Sequence, residues 1–194
     1  MEDANATTLV LEDLKRGYPG LDKDAGANHR KAAMVCLDSQ KHASGVACEL
    51  KSLKETTSMI RLTWNEAVTQ QMKNTWYDRR EATEMGAAGL AILVILSQTK
   101  FTVLRRMDQD EDTGMDYWLS TRQTAEELTE NFLLQHARLE VAGRRTASSK
   151  TIEKLTRDKL TRSRKSDDTG KIAYVVVVEF SKPVIYFETR MADL

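Results

Sequence analysis

Ala137-Arg138-Leu139-Glu140-Val141-Ala142-Gly143 is the stretch that decides how the rest of the chain is read. Side chains alternate along a β-strand. Leu139 and Val141 therefore point to one face, and Arg138, Glu140 and Ala142 to the other. Glu140 is an acid backed by two core residues, and Gly143 is a stop signal. The preceding stretch, Gly114-Met115-Asp116-Tyr117-Trp118-Leu119, repeats the arrangement, with Asp116 set between two apolar neighbours. Downstream, Ser149 can cap a helix to about Arg162, with Ile152, Leu155 and Leu160 as its apolar stripe. A polar loop over 163–170 should follow. Ile172 to Phe180 is nearly continuously apolar and β-branched, as in a strand buried on both faces. Pro183 predicts that Val184 to Phe187 is an edge strand.

Upstream, Phe101 to Leu104 is a short strand, followed by an acidic turn over Asp108–Asp112. Thr124 and Glu127 form a capping box for a short inserted helix to about Leu134, and Thr63 and Glu66 form another. From Thr63 a helix is expected to about Ser97, with a kink near Gly86 or Gly89. Its half from Ala87 to Leu96 is apolar on nearly all sides and should lie against a sheet. Before it, Ala33–Leu37, Val46–Leu50 and Met59–Leu62 read as a three-stranded antiparallel meander over 31–64. Residues 1–30 read as a polar, loosely packed lead-in.

From Thr63 onward the order is helix, strand, strand, strand, helix, strand. This order, with Asp116 on the second strand and Glu140 on the third, resembles the restriction-endonuclease-like core of the PD-(D/E)xK nuclease superfamily. The resemblance covers roughly residues 63–180 and implies an α/β fold preceded by the meander. It implies that Asp116 and Glu140 bind a catalytic divalent cation, Mg²⁺ or Mn²⁺, with the Val141 carbonyl as a third ligand. The motif places Lys two residues after the acid, but position 142 is Ala. In some such families that cation comes from the next helix, which makes Lys150 and Lys154 the catalytic candidates and Arg144 a weaker one. Glu84 or Glu81 on the first core helix would support the metal. The implied activity is hydrolysis of DNA phosphodiesters in bacterial defence or DNA processing, with homodimers a common arrangement.

The chain of 194 residues has 29 basic and 29 acidic side chains, a formal net charge of zero. That excludes a uniformly basic coat protein for nucleic acid. The zero is uneven, however. Arg144, Arg145, Lys150, Lys154, Arg157, Lys159, Arg162, Arg164 and Lys165 are opposed only by Glu153 and Asp158. That segment carries +7 and the remainder −7, so a phosphate backbone has an obvious place to lie. With hydrophobic residues at 41%, the chain is too apolar for a disordered one.

Cys36 and Cys48, two in all, cannot build a disulfide scaffold and are expected to stay reduced in a cytosol. The N-terminus lacks a secretory pattern, and the longest apolar run is far shorter than the roughly 20 residues of a membrane span. A cytoplasmic protein without membrane contact is expected. Cys36, His42 and Cys48 match no structural zinc spacing. Asp108–Asp112 lacks the Gly and terminal Glu of a calcium loop. Trp64, Trp76 and Trp118 are expected to be core or interface residues, not base-stacking platforms. Two further readings compete with the nuclease. Ala142 suits a fold that kept nucleic-acid or protein binding and lost its chemistry, and the balanced charge suits an immunity- or antitoxin-type interaction protein.

Overall fold

The computed structural model describes residues 7–54, 57–107, 115–121 and 136–192. They form an α/β fold on one mixed sheet of eight strands, in the order β1-β3-β2-β8-β7-β6-β5-β4. The strands are β1 (Thr7–Val10), β2 (Val46–Lys51), β3 (Thr57–Thr63), β4 (Phe101–Arg106), β5 (Tyr117–Thr121), β6 (Ala137–Arg144), β7 (Ile172–Glu179) and β8 (Val184–Arg190). The helices are α1 (Lys23–Asp38), α2 (Gln70–Thr75), α3 (Arg79–Gln98) and α4 (Ser149–Arg162). The inserted helix expected from Thr124 and the acidic turn at 108–112 lie outside the described residues.

Helices α1 and α3 cover one face of the sheet and bury the main core, including Met34, Leu37, Leu90, Ile92, Leu139 and Val176. Helix α4 covers the other face, where Ile152 packs with Val175, Val177 and Tyr186. The strand alternation read from the sequence sorts β6 accordingly. Leu139 belongs to the first core, while Ala142 packs with the second. Gly143 faces α3 with no room for a side chain, since a Cβ there would lie 2.7 Å from the Thr83 carbonyl oxygen. This close approach sets α3 directly against the end of β6. No described helix is long and apolar enough to cross a membrane.

Four expectations are corrected. Residues 7–30 are not a loose lead-in: β1 pairs in parallel with β3, a 3₁₀ turn over Leu11–Arg16 buries Leu11 and Leu14, and α1 starts at Lys23. Ala33–Leu37 is not a strand of a meander but the buried second half of α1, whose N-cap Asp22 accepts from the N–H groups of Asp24 and Ala25. Only the hairpin of β2 and β3 remains of that meander.

The third correction concerns the long helix. Thr63 ends β3, opposite Val10, and Glu66 accepts from the buried Arg30 guanidinium instead of closing a capping box. The true starts are Thr69, capping the short α2, and Asp78, whose carboxylate caps α3 through the N–H groups of Arg80 and Glu81. Helix α3 runs unbroken through Gly86 and Gly89, where α1 approaches closely. The fourth is β8, which is an interior strand between β7 and β2. Pro183 precedes it in the turn and contributes only its carbonyl, which accepts from the Glu49 N–H at 3.0 Å. The missing proline N–H therefore costs the ladder nothing.

Candidate active site

The site begins just before β5 starts. Tyr117 lies opposite Leu139 in the antiparallel β5–β6 ladder, and the Asp116 N–H donates to the Leu139 carbonyl at 2.8 Å. The ladder ends at that pair, and the two acids meet through their side chains, the Asp116 carboxyl lying within hydrogen-bonding reach of that of Glu140. The Asp116 carbonyl accepts from the Met107 N–H at 2.9 Å, and its carboxylate Oδ2 accepts from the Val141 N–H at 2.7 Å. In an extended strand a residue's N–H and C=O point to the same side. The Val141 carbonyl therefore faces the same side as its N–H, toward Asp116.

Glu140 is 3% exposed and accepts a charged hydrogen bond from Lys159 Nζ of α4. Burial pushes the Glu140 carboxyl up to about 7, and the charge and hydrogen bond of Asp116 push the same way; Lys159 opposes them without prevailing. Two acids thus meet where the charge of Glu140 is disfavoured, a condition that a hard cation relieves.

A groove of about 1040 Å³ opens above this pair, lined by Asp116, Val141, Ala142 and Lys159, while Glu140 lies beneath it. One wall is the N-terminal part of α3, with Arg79, Arg80, Glu81 and Glu84. Arg144 and Arg145 at the end of β6, Arg162 of α4 and Arg106 of β4 complete a cationic rim. Arg80 is bound to Glu84 at 2.9 Å, and Arg145 turns inward to Ser39 Oγ at 3.0 Å and Cys36 Sγ at 3.2 Å. Arg144 donates to the Gly143 carbonyl at 3.0 Å; among the described residues, the guanidinium groups of Arg79, Arg106 and Arg162 have neither an ion-pair partner nor a hydrogen bond. These three guanidinium groups are available to an anionic ligand.

The expected site residues separate clearly. Asp116 and Glu140 come together. Lys150 and Lys154 do not join them; both are exposed on α4 outside the groove lining. Lys159, named in the sequence only as part of the basic segment, is the helix cation that reaches Glu140. Of that segment, Arg144, Arg145, Lys159 and Arg162 line the groove, whereas Arg157, Arg164 and Lys165 do not. Glu84 stands in the groove wall but is committed to Arg80, and Glu81 stands beside it. Arg79 and Arg106 were not singled out, because their place depends on α3 and β4 flanking the end of β6.

Among the described residues no cluster of three or more carboxylate, imidazole or thiol groups could hold a metal ion. The local donor set is the two carboxylates and the Val141 carbonyl. That set fits Mg²⁺, which takes few protein oxygens and keeps several waters. Cys36 and Cys48 are free and buried, and His42 Nε2 lies 3.1 Å from the Ser181 carbonyl. Comparison with known proteins finds no matching protein-family model, no similar curated protein and no similar solved structure.

Proposed function

We propose that this chain is a divalent-metal-dependent phosphodiesterase acting on DNA, built on a restriction-endonuclease-like core. The observation that carries the reading is the Asp116–Glu140 pair at the foot of a groove rimmed by unpaired arginines. The element order supports it: α3, β4, β5, β6, α4 and β7 follow one another, and β4 to β7 are neighbours in the sheet. Asp116, Glu140 and the Val141 carbonyl would hold Mg²⁺ or Mn²⁺. Such a cation polarises a phosphoryl oxygen and lowers the pKa of bound water.

The protein's own groups divide the remaining tasks. Arg79, Arg106 and Arg162 bind backbone phosphates on either side of the reacting one. Asp116 is held by the Val141 N–H, so its second oxygen is directed without loss of side-chain freedom at each turnover. Lys159 replaces the lysine absent at position 142. Its ammonium, brought in from α4, balances the charge of Glu140 and can donate to the attacking water. A panel of single- and double-stranded DNAs with Mg²⁺ or Mn²⁺ tests this. Cleavage that disappears in Asp116→Ala and in Glu140→Ala is expected, and its absence from the native protein would refute the activity.

A second reading has its own support. Glu140 is already ion-paired, and Ala142 stands where the motif has Lys. A binding module that lost its chemistry would bind DNA in the same groove, retain binding in both variants and cleave nothing with either metal.

A further inference from the structure

Beside the groove lies a second cavity, of about 530 Å³, and the two share Arg79 and Arg145 as a common wall. Its lining includes Lys73, Trp76 and Tyr77. Tyr77 is 86% exposed, by far the most exposed large apolar side chain among the described residues. A single exposed ring is ordinary on a protein surface; Tyr77 is set apart by lining a cavity whose wall, Arg79 and Arg145, is also the wall of the groove. The position is also rigid. Trp76 closes α2 through its N–H to the Met72 carbonyl at 3.0 Å, and Asp78 caps α3. The backbone of Tyr77 is therefore held between two helix ends, so a ligand packing on the ring has only side-chain rotation to arrest.

We propose that Tyr77 and this cavity form a stacking shelf for an unpaired nucleobase, so that the groove takes DNA with a single-stranded segment beside the reacting phosphate. The inference rests on the proposed DNA-binding groove and deepens it. Arg79 stands on the boundary between groove and shelf, free of any ion pair among the described residues, and carries the phosphate that joins the stacked nucleotide to the groove. Lys73 is paired with Asp38 at 2.8 Å and serves as part of the floor. An aromatic ring flanked by arginine is the combination that binds single strands without regard to base identity, through stacking and phosphate contact. A base inside an intact duplex presents no free face to such a ring.

The test is fluorescence anisotropy with a labelled 20-nucleotide oligo-dT and a labelled blunt duplex of the same length, in EDTA so that neither is cut. The full chain is compared with Tyr77→Ala and Tyr77→Phe. Stacking is worth roughly a tenfold change in affinity per base. Tyr77→Ala should therefore bind oligo-dT about tenfold more weakly and the duplex unchanged, and Tyr77→Phe should bind both as the native chain does. Because Tyr77 is exposed, an unchanged thermal midpoint will show that each variant is folded. Equal oligo-dT affinity in Tyr77→Ala and the native chain would overturn the shelf and leave the groove standing. An equal loss for duplex and single strand would overturn it as well. A native chain that binds neither DNA would overturn both the shelf and the nuclease reading.

Discussion

Glu140 weakens the fold that holds it. Its carboxyl titrates at about 7 in the folded protein against 4.5 for an ordinary Glu, chiefly through burial. Between those values the folded state binds more protons than the unfolded one, so stability falls as pH rises from 4.5 to 7 and is level above. The shift corresponds to about 3 kcal/mol at full ionisation. Glu140→Gln keeps an acceptor for Lys159 and removes this cost. Urea denaturation at pH 8 should show the variant to be more stable than the native chain, with the difference shrinking toward pH 4.5. A gain independent of pH would contradict the account. The same variant should be inactive in cleavage, the expected trade at a site built for charge.

Lys159 is tested against its neighbours. Lys159→Gln should reduce cleavage by about 10² or more, the range for a group acting on a transferred proton. Lys150→Gln and Lys154→Gln should leave the rate nearly unchanged. The sequence contained the means to choose among the three. Ile152, Leu155 and Lys159 are spaced i, i+3, i+7, which sets Lys159 on the buried stripe, and Thr156 on the same side is fully buried. Lys150 and Lys154 fall off that stripe. Glu140 was legible because strand alternation is a local property, whereas Asp116, expected on a strand, stands just before β5. Arg79 and Arg106 were not legible, since their meeting depends on how two distant elements pack.

At the scale of elements, two contacts hold the groove in shape. Gly143 admits α3 to β6, and the Cβ of Gly143→Ala would press on Thr83 and its carbonyl. Overpacking of this kind costs about 1–3 kcal/mol. A lower midpoint in denaturant, with a larger proportional loss of cleavage, is expected, because α3 carries one wall of the groove. Glu179 is 2% exposed and gathers the N–H groups of Ser181 at 2.9 Å, Lys182 at 2.7 Å and Ala147 at 3.3 Å. It thereby ties the β7–β8 turn to the segment that leads into α4. Helix α1 shows why element type was misread. Its second half is buried on nearly all sides, so Met34-Val35-Cys36-Leu37 carries no helical period and looks like a strand. The cap at Asp22 was the available signal. Pro183 misled for another reason: the proline rule concerns a residue within a ladder, and this one stands just before it.

For the whole molecule, net charge conceals the feature that matters. The sequence pI is about 6.8, yet Arg79, Arg106 and Arg162 stand unpaired, among the described residues, around one opening. If all three meet phosphates, the logarithm of the duplex-DNA binding constant should fall against the logarithm of salt concentration with a slope of about −3. The triple substitution to Gln should remove most of that slope. Affinity insensitive to salt would exclude phosphate contact at the rim. The asymmetry was readable in the basic segment from Arg144 to Lys165. Helical spacing could sort the lysines of α4, but not Arg144 and Arg145, which stand before the helix begins.

The parallel pairing of β2 with β8 also fixes an order of events. Glu49 meets Val184, and Leu50 meets Ile185. During synthesis the hairpin of β2 and β3, with β1 beside it, has no sheet to join until β8 has left the ribosome. Non-local pairing of this kind makes folding slow. For that interval Leu50, Ile60 and Leu62 have only the nearby helices to shield them, and the open side of β2 is a template for another chain. The protein is thus most vulnerable to aggregation late in its own translation, and a stop codon ahead of Val184 would release a chain whose first three strands have nowhere to dock.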